Sequence, residues 1–101
     1  MELPHPDREA VELAGVLFAL SDPDRLDIVR QLRAGPMDAA LCSTADPSIP
    51  KSTKSHLMKV LREAGVIRNE PRGRHRVLTL RRDDLDARFP GLLDAVLDAA
   101  D

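Results

Sequence analysis

The 101-residue chain is poor in aromatic residues and in cysteine. Phe18 and Phe89 are its only aromatics, with no tryptophan or tyrosine. Proteins that bind single-stranded nucleic acid stack the bases on aromatic rings, so this scarcity argues against that class. The single cysteine, Cys42, excludes an intrachain disulfide. A lone thiol fits a reducing, cytoplasmic location.

Long apolar runs are also missing. No stretch approaches the roughly 20 apolar residues that span a bilayer, and the first residues lack the basic-then-apolar pattern of a secretion signal. The sequence also contains no glycine-rich phosphate loop, no nucleophile beside a base and no cluster of metal ligands. These absences argue against a membrane partner and against an enzyme.

Charge is distributed unevenly along the chain. The formal net charge is −2, yet residues 51–82 contain ten Lys or Arg and two acidic residues, a local charge of +8. Residues 1–50 and 83–101 each carry −5. A basic centre between acidic ends attracts a polyanion to the centre and repels it elsewhere. We call residues 51–82 the basic segment and predict that it binds DNA.

The first 20 residues predict an arm and a helix. Two prolines within residues 1–6 indicate a flexible arm, and apolar residues over 7–20 indicate a helix. These apolar residues occupy more than one face of the helix. In a small domain this predicts a second partner for the helix, such as another subunit.

A second helix is predicted at 23–34, because Asp22 can cap its first turn and Pro23 suits its first position. Residues 37–50 are harder to interpret. Residues 39–44 predict a short third helix, and the prolines that follow predict an extended loop.

The basic segment begins with a predicted helix at 52–64, ended by Gly65. Thr53, Leu57, Val60, Leu61 and Ala64 share one side of this helix, and its opposite side is small, polar and cationic. Such a helix can lie in a major groove, although an ordinary solvated face has the same pattern. The predicted DNA contacts here are Lys51, Ser52, Thr53, Lys54, Ser55, His56, Lys59 and Arg62.

A hairpin follows at 66–80, with strands at 66–68 and 75–80 and a turn at 70–74. A cationic helix followed by a basic hairpin is typical of a winged helix-turn-helix, whose wing reaches the minor groove or backbone phosphates. The alternative is a hairpin that is merely solvated. The predicted wing contacts are Arg72, Arg74, His75 and Arg76.

The tail, 83–101, predicts an amphipathic dimerisation helix that restarts at Pro90. Its apolar residues recur at helical spacing from Phe89 onward. Together with the first helix it predicts a homodimer interface, although both helices would also serve to complete a monomer core. The predicted interface residues are Val11, Leu13, Leu17, Phe89, Leu93, Val96 and Leu97.

Three segments resemble the ArsR-type (ArsR/SmtB) family of bacterial transcriptional repressors. They are ALSDPDRLDIVRQL at 19–32, KSTKSHLMKVLREAGVIRNEPRGRHRVLTL at 51–80 and DDLDARFPGLLDAVL at 83–97. The resemblance implies a mainly α winged helix-turn-helix with a small β-hairpin, paired through its first and last helices. It also implies a sequence-specific DNA-binding repressor of a dyad-symmetric operator, with 52–64 as the recognition helix.

The residues available for sensing depart from the metal-binding members of that family. Those members use a Cys-x-Cys pair or last-helix Asp and His, whereas this chain has Cys42 alone and a tail with aspartates but no histidine. Carboxylates alone suit hard cations rather than zinc. We therefore predict no cofactor. A nickel-, zinc- or cobalt-responsive repressor, with His5 and tail aspartates as ligands, and a basic RNA-binding protein remain alternatives.

Overall fold

The computed structural model describes residues 2–42 and 48–100. Over these residues the chain is mainly α with a small antiparallel sheet, as predicted, and the sheet has three strands in the order β1-β3-β2. A 3-10 turn at Arg8–Ala10 precedes the regular elements. These are α1 (Leu13–Leu20), α2 (Pro23–Leu32), β1 (Met37–Asp38), α3 (Lys51–Glu63), β2 (Ile67–Arg72), β3 (His75–Leu80), α4 (Arg82–Arg88) and α5 (Leu92–Ala100).

Local signals place the start of α2 and the end of α3. The Asp22 carboxylate accepts hydrogen bonds from the backbone N–H groups of Asp24 and Arg25, both at 3.0 Å, and Pro23 opens α2. Gly65 follows α3 with a φ of 85°. A Cβ at that position would lie 2.5 Å from a Val11 methyl carbon, so the position excludes other residues on space as well as on backbone angle.

The predicted helix at 7–20 is wrong in its first half. After the 3-10 turn, Val11 and Glu12 are extended, with ψ values of 124° and 141°, before α1 begins. The Val11 side chain packs against Gly65, and its carbonyl accepts a hydrogen bond from Arg88. These distant contacts hold Val11 in an extended conformation against the local helical pattern.

The predicted third helix at 39–44 is also not formed over its described residues. Met37 and Asp38 pair with Leu78 and Val77 of β3. The Asp38 carboxylate then accepts the Ala40 N–H at 2.8 Å, which stabilises a turn. Residues 43–47, which include the end of the predicted helix, lie outside the described residues.

The first strand of the wing is longer, and its turn shorter, than predicted. β2 and β3 stay paired out to Arg72 opposite His75, so Gly73 and Arg74 alone form the turn. Gly73 has a φ of 61°, which a tight hairpin turn requires. Pro71 is tolerated in β2 because this strand is at the edge of the sheet.

The tail belongs to the monomer core more than the sequence indicates. Three of the predicted interface residues, Val11, Leu93 and Leu97, are buried within the single chain. They therefore do not present the exposed side chains that a subunit interface needs, and this part of the prediction is wrong. Arg33, which follows α2, also forms ion pairs with Asp94 and Asp98 of α5 and so holds this helix against the domain. The helical break before α5 is as predicted, with α4 ending at Arg88.

The predicted flexible arm at 1–6 is wrong over its described residues. The carbonyls of Pro4 and Pro6 accept hydrogen bonds from Arg62 and Arg81, and the His5 ring accepts one from a backbone N–H of β2. Each donor lies more than fifty residues away in sequence. Local composition therefore carries no sign of these contacts.

Asp84 joins the N-terminal region to the end of the sheet. Its carboxylate accepts hydrogen bonds from Arg8 at 2.7 Å and from Arg81 at 2.8 Å, and Arg68 lies 3.7 Å away. The Arg81 side chain is 2% exposed. The hydrogen bond from Arg8, and after it the hydrogen bond from Arg81, holds the pKa of Asp84 below its usual range. The ionised carboxylate therefore stabilises the fold.

Replacing Asp84 with alanine should lower the free energy of unfolding by about 2 kcal/mol, because buried Arg81 loses its counter-ion. A carboxyl group whose pKa is lower in the folded state stabilises that state when the pH is above its unfolded-state pKa of about 4. This stabilisation is lost as the pH falls below that value and the carboxylate of the folded protein becomes protonated. The stabilities of variant and parent should therefore converge in acid. Urea unfolding across pH measures this, with Asp83→Ala as the control because Asp83 is exposed.

Candidate nucleic-acid interface

The outward face of α3 has the polar and cationic character that the sequence predicts. Its exposed residues are Lys51, Ser52, Thr53, Ser55, His56 and Lys59, with Lys54 half-buried beside them. The buried face is formed by Leu57, Met58 and Leu61. Thr53, which the helical pattern places on the apolar side, is exposed. The helix is therefore turned relative to its predicted orientation, toward Met58.

The same rotation buries Arg62, which was predicted to contact DNA. Arg62 lies one turn after Met58, is 7% exposed, and donates a hydrogen bond from its guanidinium to the Pro4 carbonyl. Its guanidinium is therefore engaged within the protein, although Arg62 also lines the cavity between α3 and the wing, and its contact with DNA stays a prediction. The sequence contains no signal for this hydrogen bond, because the carbonyl that accepts the bond is 58 residues away.

At the wing tip, Arg72, Arg74 and His75 are exposed. His75 has an internal partner, since its Nδ1 lies 3.0 Å from the Asp38 carboxylate. Arg76 is half-buried and donates to the side-chain oxygen of Asn69 at 2.6 Å and to its carbonyl at 3.0 Å. The guanidinium of Arg76, which was predicted as a wing contact close behind the tip, therefore joins the two strands of the wing.

The Lys and Arg residues of the basic segment fall into two groups. Five have partners inside the protein, namely Arg62, Arg68, Arg76, Arg81 and Arg82. The other five are Lys51, Lys54, Lys59, Arg72 and Arg74, for which the described part of the chain provides no ion pair or hydrogen bond. All five lie on α3 or at the wing tip. The unpaired positive charge is therefore concentrated on the two elements predicted to contact DNA.

These two elements line one concave surface. A cavity of about 490 Å³ lies between them, with Ser55 and Lys59 of α3 on one side and Arg74 and His75 of the wing on the other. Asp38 is the single acidic residue among those that line it, and it is engaged by His75. The surface therefore presents cations and a hydroxyl along a groove, which suits a phosphate backbone.

The candidate sensing residues are spread apart. The His5 Nε2 accepts the Asn69 N–H at 3.0 Å, so this nitrogen is engaged within the protein. Cys42 is buried, and burial raises the pKa of its thiol, which disfavours the reactive thiolate. Within residues 2–42 and 48–100, no three His, Cys, Asp or Glu side chains come together as metal ligands would.

None of the helices in the described residues is long and apolar enough to cross a membrane. No protein-family model matches the chain. The chain is 32% identical over 84 residues to YceK of Bacillus subtilis, an uncharacterized HTH-type transcriptional regulator, covering 82% of this chain and 84% of that protein. It is 33% identical over 94 residues to the HTH-type transcriptional regulator NmtR of Mycobacterium tuberculosis, covering 93% of this chain and 74% of that protein.

A crystal structure of an ArsR family transcriptional regulator shares the fold, with a TM-score of 0.67 and 23% identity over 88% of this chain and 97% of that one. The two HTH-type relatives and the shared fold indicate the same family as the sequence segments at 19–32, 51–80 and 83–97. The chain belongs to the ArsR family of winged helix-turn-helix transcriptional regulators.

Proposed function

We propose that this DNA-binding regulator is a repressor that binds a dyad-symmetric operator as a homodimer. The observation that supports this best is the location of the unpaired cations. Lys59 of α3 and Arg74 of the wing tip line the same groove, and Lys51, Lys54 and Arg72 lie on the same two elements. Bound over a promoter, such a dimer represses transcription because it excludes the polymerase.

In the proposed complex, α3 lies in the major groove and the wing follows the neighbouring backbone. The hydroxyls of Ser52, Thr53 and Ser55 and the ring of His56 are exposed at the start of α3, where recognition helices reach base edges. Lys51, Lys59 and the tip arginines then contact phosphates. Phosphate contacts set the register of the protein on DNA, and the polar groups of α3 supply sequence preference.

The apolar surface of α1 supports pairing with a second copy. The helix, LAGVLFAL, has no polar side chain, yet Leu13, Leu17 and Phe18 are 46%, 45% and 64% exposed. An apolar stripe of this kind on a small domain is typical of a subunit interface. A two-fold axis through it would present two copies of α3 to half-sites about one helical turn, roughly 34 Å, apart.

The interface that we propose differs from the sequence-based one. Leu13 and Leu17 remain in it, and Phe18 joins them because it is the most exposed of the three. Phe89 and Val96 are half-buried on the tail and stay as candidates. A second copy also doubles the number of cationic groups on the DNA, which strengthens binding through avidity.

The direct test is binding of the purified protein to the DNA upstream of its own gene, measured by fluorescence anisotropy with scrambled duplex as competitor. We expect specific binding that weakens steeply with salt. Repeating it with Ni²⁺, Zn²⁺, Co²⁺ and a chelator decides the metal-responsive alternative, since a metal that changes the affinity establishes it. Equal binding to operator, scrambled duplex and structured RNA would overturn the proposal.

A further inference from the structure

Three consecutive residues near the N-terminus are each hydrogen-bonded to the DNA-binding unit. The Pro4 carbonyl accepts from Arg62 of α3, His5 Nε2 accepts from the Asn69 N–H of β2 at 3.0 Å, and the Pro6 carbonyl accepts from Arg81 at 2.7 Å. We call residues 4–6 the N-terminal strap. It therefore contacts the recognition helix, the wing and the end of the sheet at once.

The composition of the strap suits this role. Proline lacks an N–H and has a fixed φ, and a residue before proline is held extended, so Pro4-His5-Pro6 presents its carbonyls with little conformational freedom to lose. The two arginine donors are 7% and 4% exposed. Hydrogen bonds from charged donors shielded from water are stronger than ordinary ones.

The contacts of the strap continue into the wing. Asn69 donates its N–H to His5, and its side chain and carbonyl accept from Arg76 of β3. One residue of β2 thus joins the strap to both strands of the wing. Arg62 follows Ser55 and Lys59 along one side of α3, but it is 7% exposed and its guanidinium turns inward to the Pro4 carbonyl. The strap therefore lies where the recognition helix and the base of the wing meet.

We propose that the N-terminal strap holds the recognition helix and the wing in the relative position that DNA binding requires, and that Arg62 and His5 act as positioning residues rather than DNA contacts. The proposal rests on DNA contact by α3 and the wing tip. Release of the strap leaves the cations on the surface but no longer fixes their spacing, so DNA affinity falls while the number of phosphate contacts is unchanged.

Acid should release the strap, because His5 accepts a hydrogen bond through Nε2 only when its ring is neutral. The charged groups facing it are Arg62 of α3, Arg68 and Glu70 of β2, and Arg81 at the end of the sheet. Burial and then the charge of Arg68 lower the pKa of His5. Above a pH of about 6.5 the His5 ring is neutral whether the strap is docked or released. Below that pH the ring is protonated more readily when the strap is released, because docking lowers its pKa. Docking therefore weakens as the pH falls below that value.

Salt dependence separates positioning from direct contact. Arg62→Met should reduce DNA affinity about tenfold and leave the slope of log affinity against log salt unchanged, because no phosphate contact is lost. Lys59→Met, at an exposed position of the same helix, should reduce the magnitude of the slope by about 1.8, because the proposed dimer loses one phosphate contact in each protomer. A loss of slope in Arg62→Met, with recovery in Arg62→Lys, would show that Arg62 contacts DNA and would overturn the proposal.

Variants of His5 test the strap without disturbing α3. Glutamine can accept the Asn69 N–H but does not titrate, so His5→Gln should bind like the parent near pH 7.5 and several-fold more tightly than it near pH 5.5. His5→Ala should bind several-fold more weakly near pH 7.5. Comparison with the parent at each pH cancels the effects of His56 and His75, because both residues are present in every variant. Equal affinity of all three proteins at both pH values would overturn the role of the strap.

Hydrogen exchange at the Asn69 amide provides a readout that needs no DNA. Protection should fall in His5→Ala and persist in His5→Gln near neutral pH. Lost protection with unchanged DNA affinity would mean that the strap docks but does not position the site. If the parent itself binds no specific duplex, the proposed operator function fails, whereas the exchange result still reports on the strap.

Discussion

Replacing Leu13 and Leu17 with aspartate should give a folded monomer with about 100-fold lower operator affinity. Both side chains are nearly half exposed in the single chain, so the charges should cost the monomer little. At a two-fold interface the same carboxylates would be desolvated and face one another, which is strongly unfavourable. A monomer binds one half-site and forfeits the effective concentration that linkage to a second copy supplies, a factor of about 10² to 10⁴.

Light scattering after size exclusion measures the mass, and anisotropy on the same samples measures the affinity. Leu41→Asp is the matched control, because Leu41 is 73% exposed but lies outside α1. It should leave both quantities unchanged. Leu93→Asp serves a different purpose, since Leu93 is 2% exposed and a charge there should unfold the monomer. A dimer that survives in Leu13→Asp/Leu17→Asp would remove α1 from the interface.

The parts of the fold predicted correctly are those encoded by neighbouring residues. Asp22 and Pro23 start α2 where expected, and Gly65 and Gly73 mark the end of α3 and the wing turn. Alternation along β3 and helical spacing in α5 are equally local. Such signals fix the kind and the order of elements, because capping, turn geometry and amphipathic spacing act within a few residues.

The errors share a different cause, which is contact over long sequence separations. Val11 is extended because it packs on Gly65, and Leu93 and Leu97 are buried because α5 packs onto the domain. An amphipathic pattern indicates that a face is covered but does not indicate whether the same chain or a second copy covers it. The predicted interface therefore included core residues and left out Phe18, which the structure exposes.

Charge poses the same problem at the candidate site. The basic segment predicted a DNA-binding region, yet Arg62 and Arg76 are donors to internal carbonyls and an internal amide. Nothing in the sequence distinguishes an arginine that serves the fold from one that serves the ligand. The role of each arginine depends on the group that its guanidinium contacts in the folded protein. Pro4, whose carbonyl accepts from Arg62, lies in a segment for which composition alone predicts a flexible arm.

Replacing Arg72 and Arg74 with alanine should weaken binding to operator and scrambled DNA alike, by about 10- to 100-fold at moderate salt. Both arginines are exposed at the wing tip without a partner in the described residues, so the fold should not depend on them. Each lost phosphate contact releases one counterion fewer, and because the proposed dimer loses two contacts per protomer, the slope of log affinity against log salt should shrink by about 3.6. Anisotropy titrations from about 50 to about 200 mM salt measure this.

Arg82→Ala is the matched control for the wing variant. Arg82 belongs to the same basic segment, but its guanidinium pairs with Asp94 at 3.0 Å and with Asp86 at 3.6 Å. Its removal lowers the charge of the segment without removing an unpaired cation, so the slope should stay at the parent value. If the salt-dependence slope fell by the same amount per arginine in the two variants, the basic segment would attract DNA through its total charge and not through contacts of particular arginines. A loss confined to Arg72→Ala/Arg74→Ala assigns the contact to the wing tip, because the slope counts phosphates engaged rather than charge present.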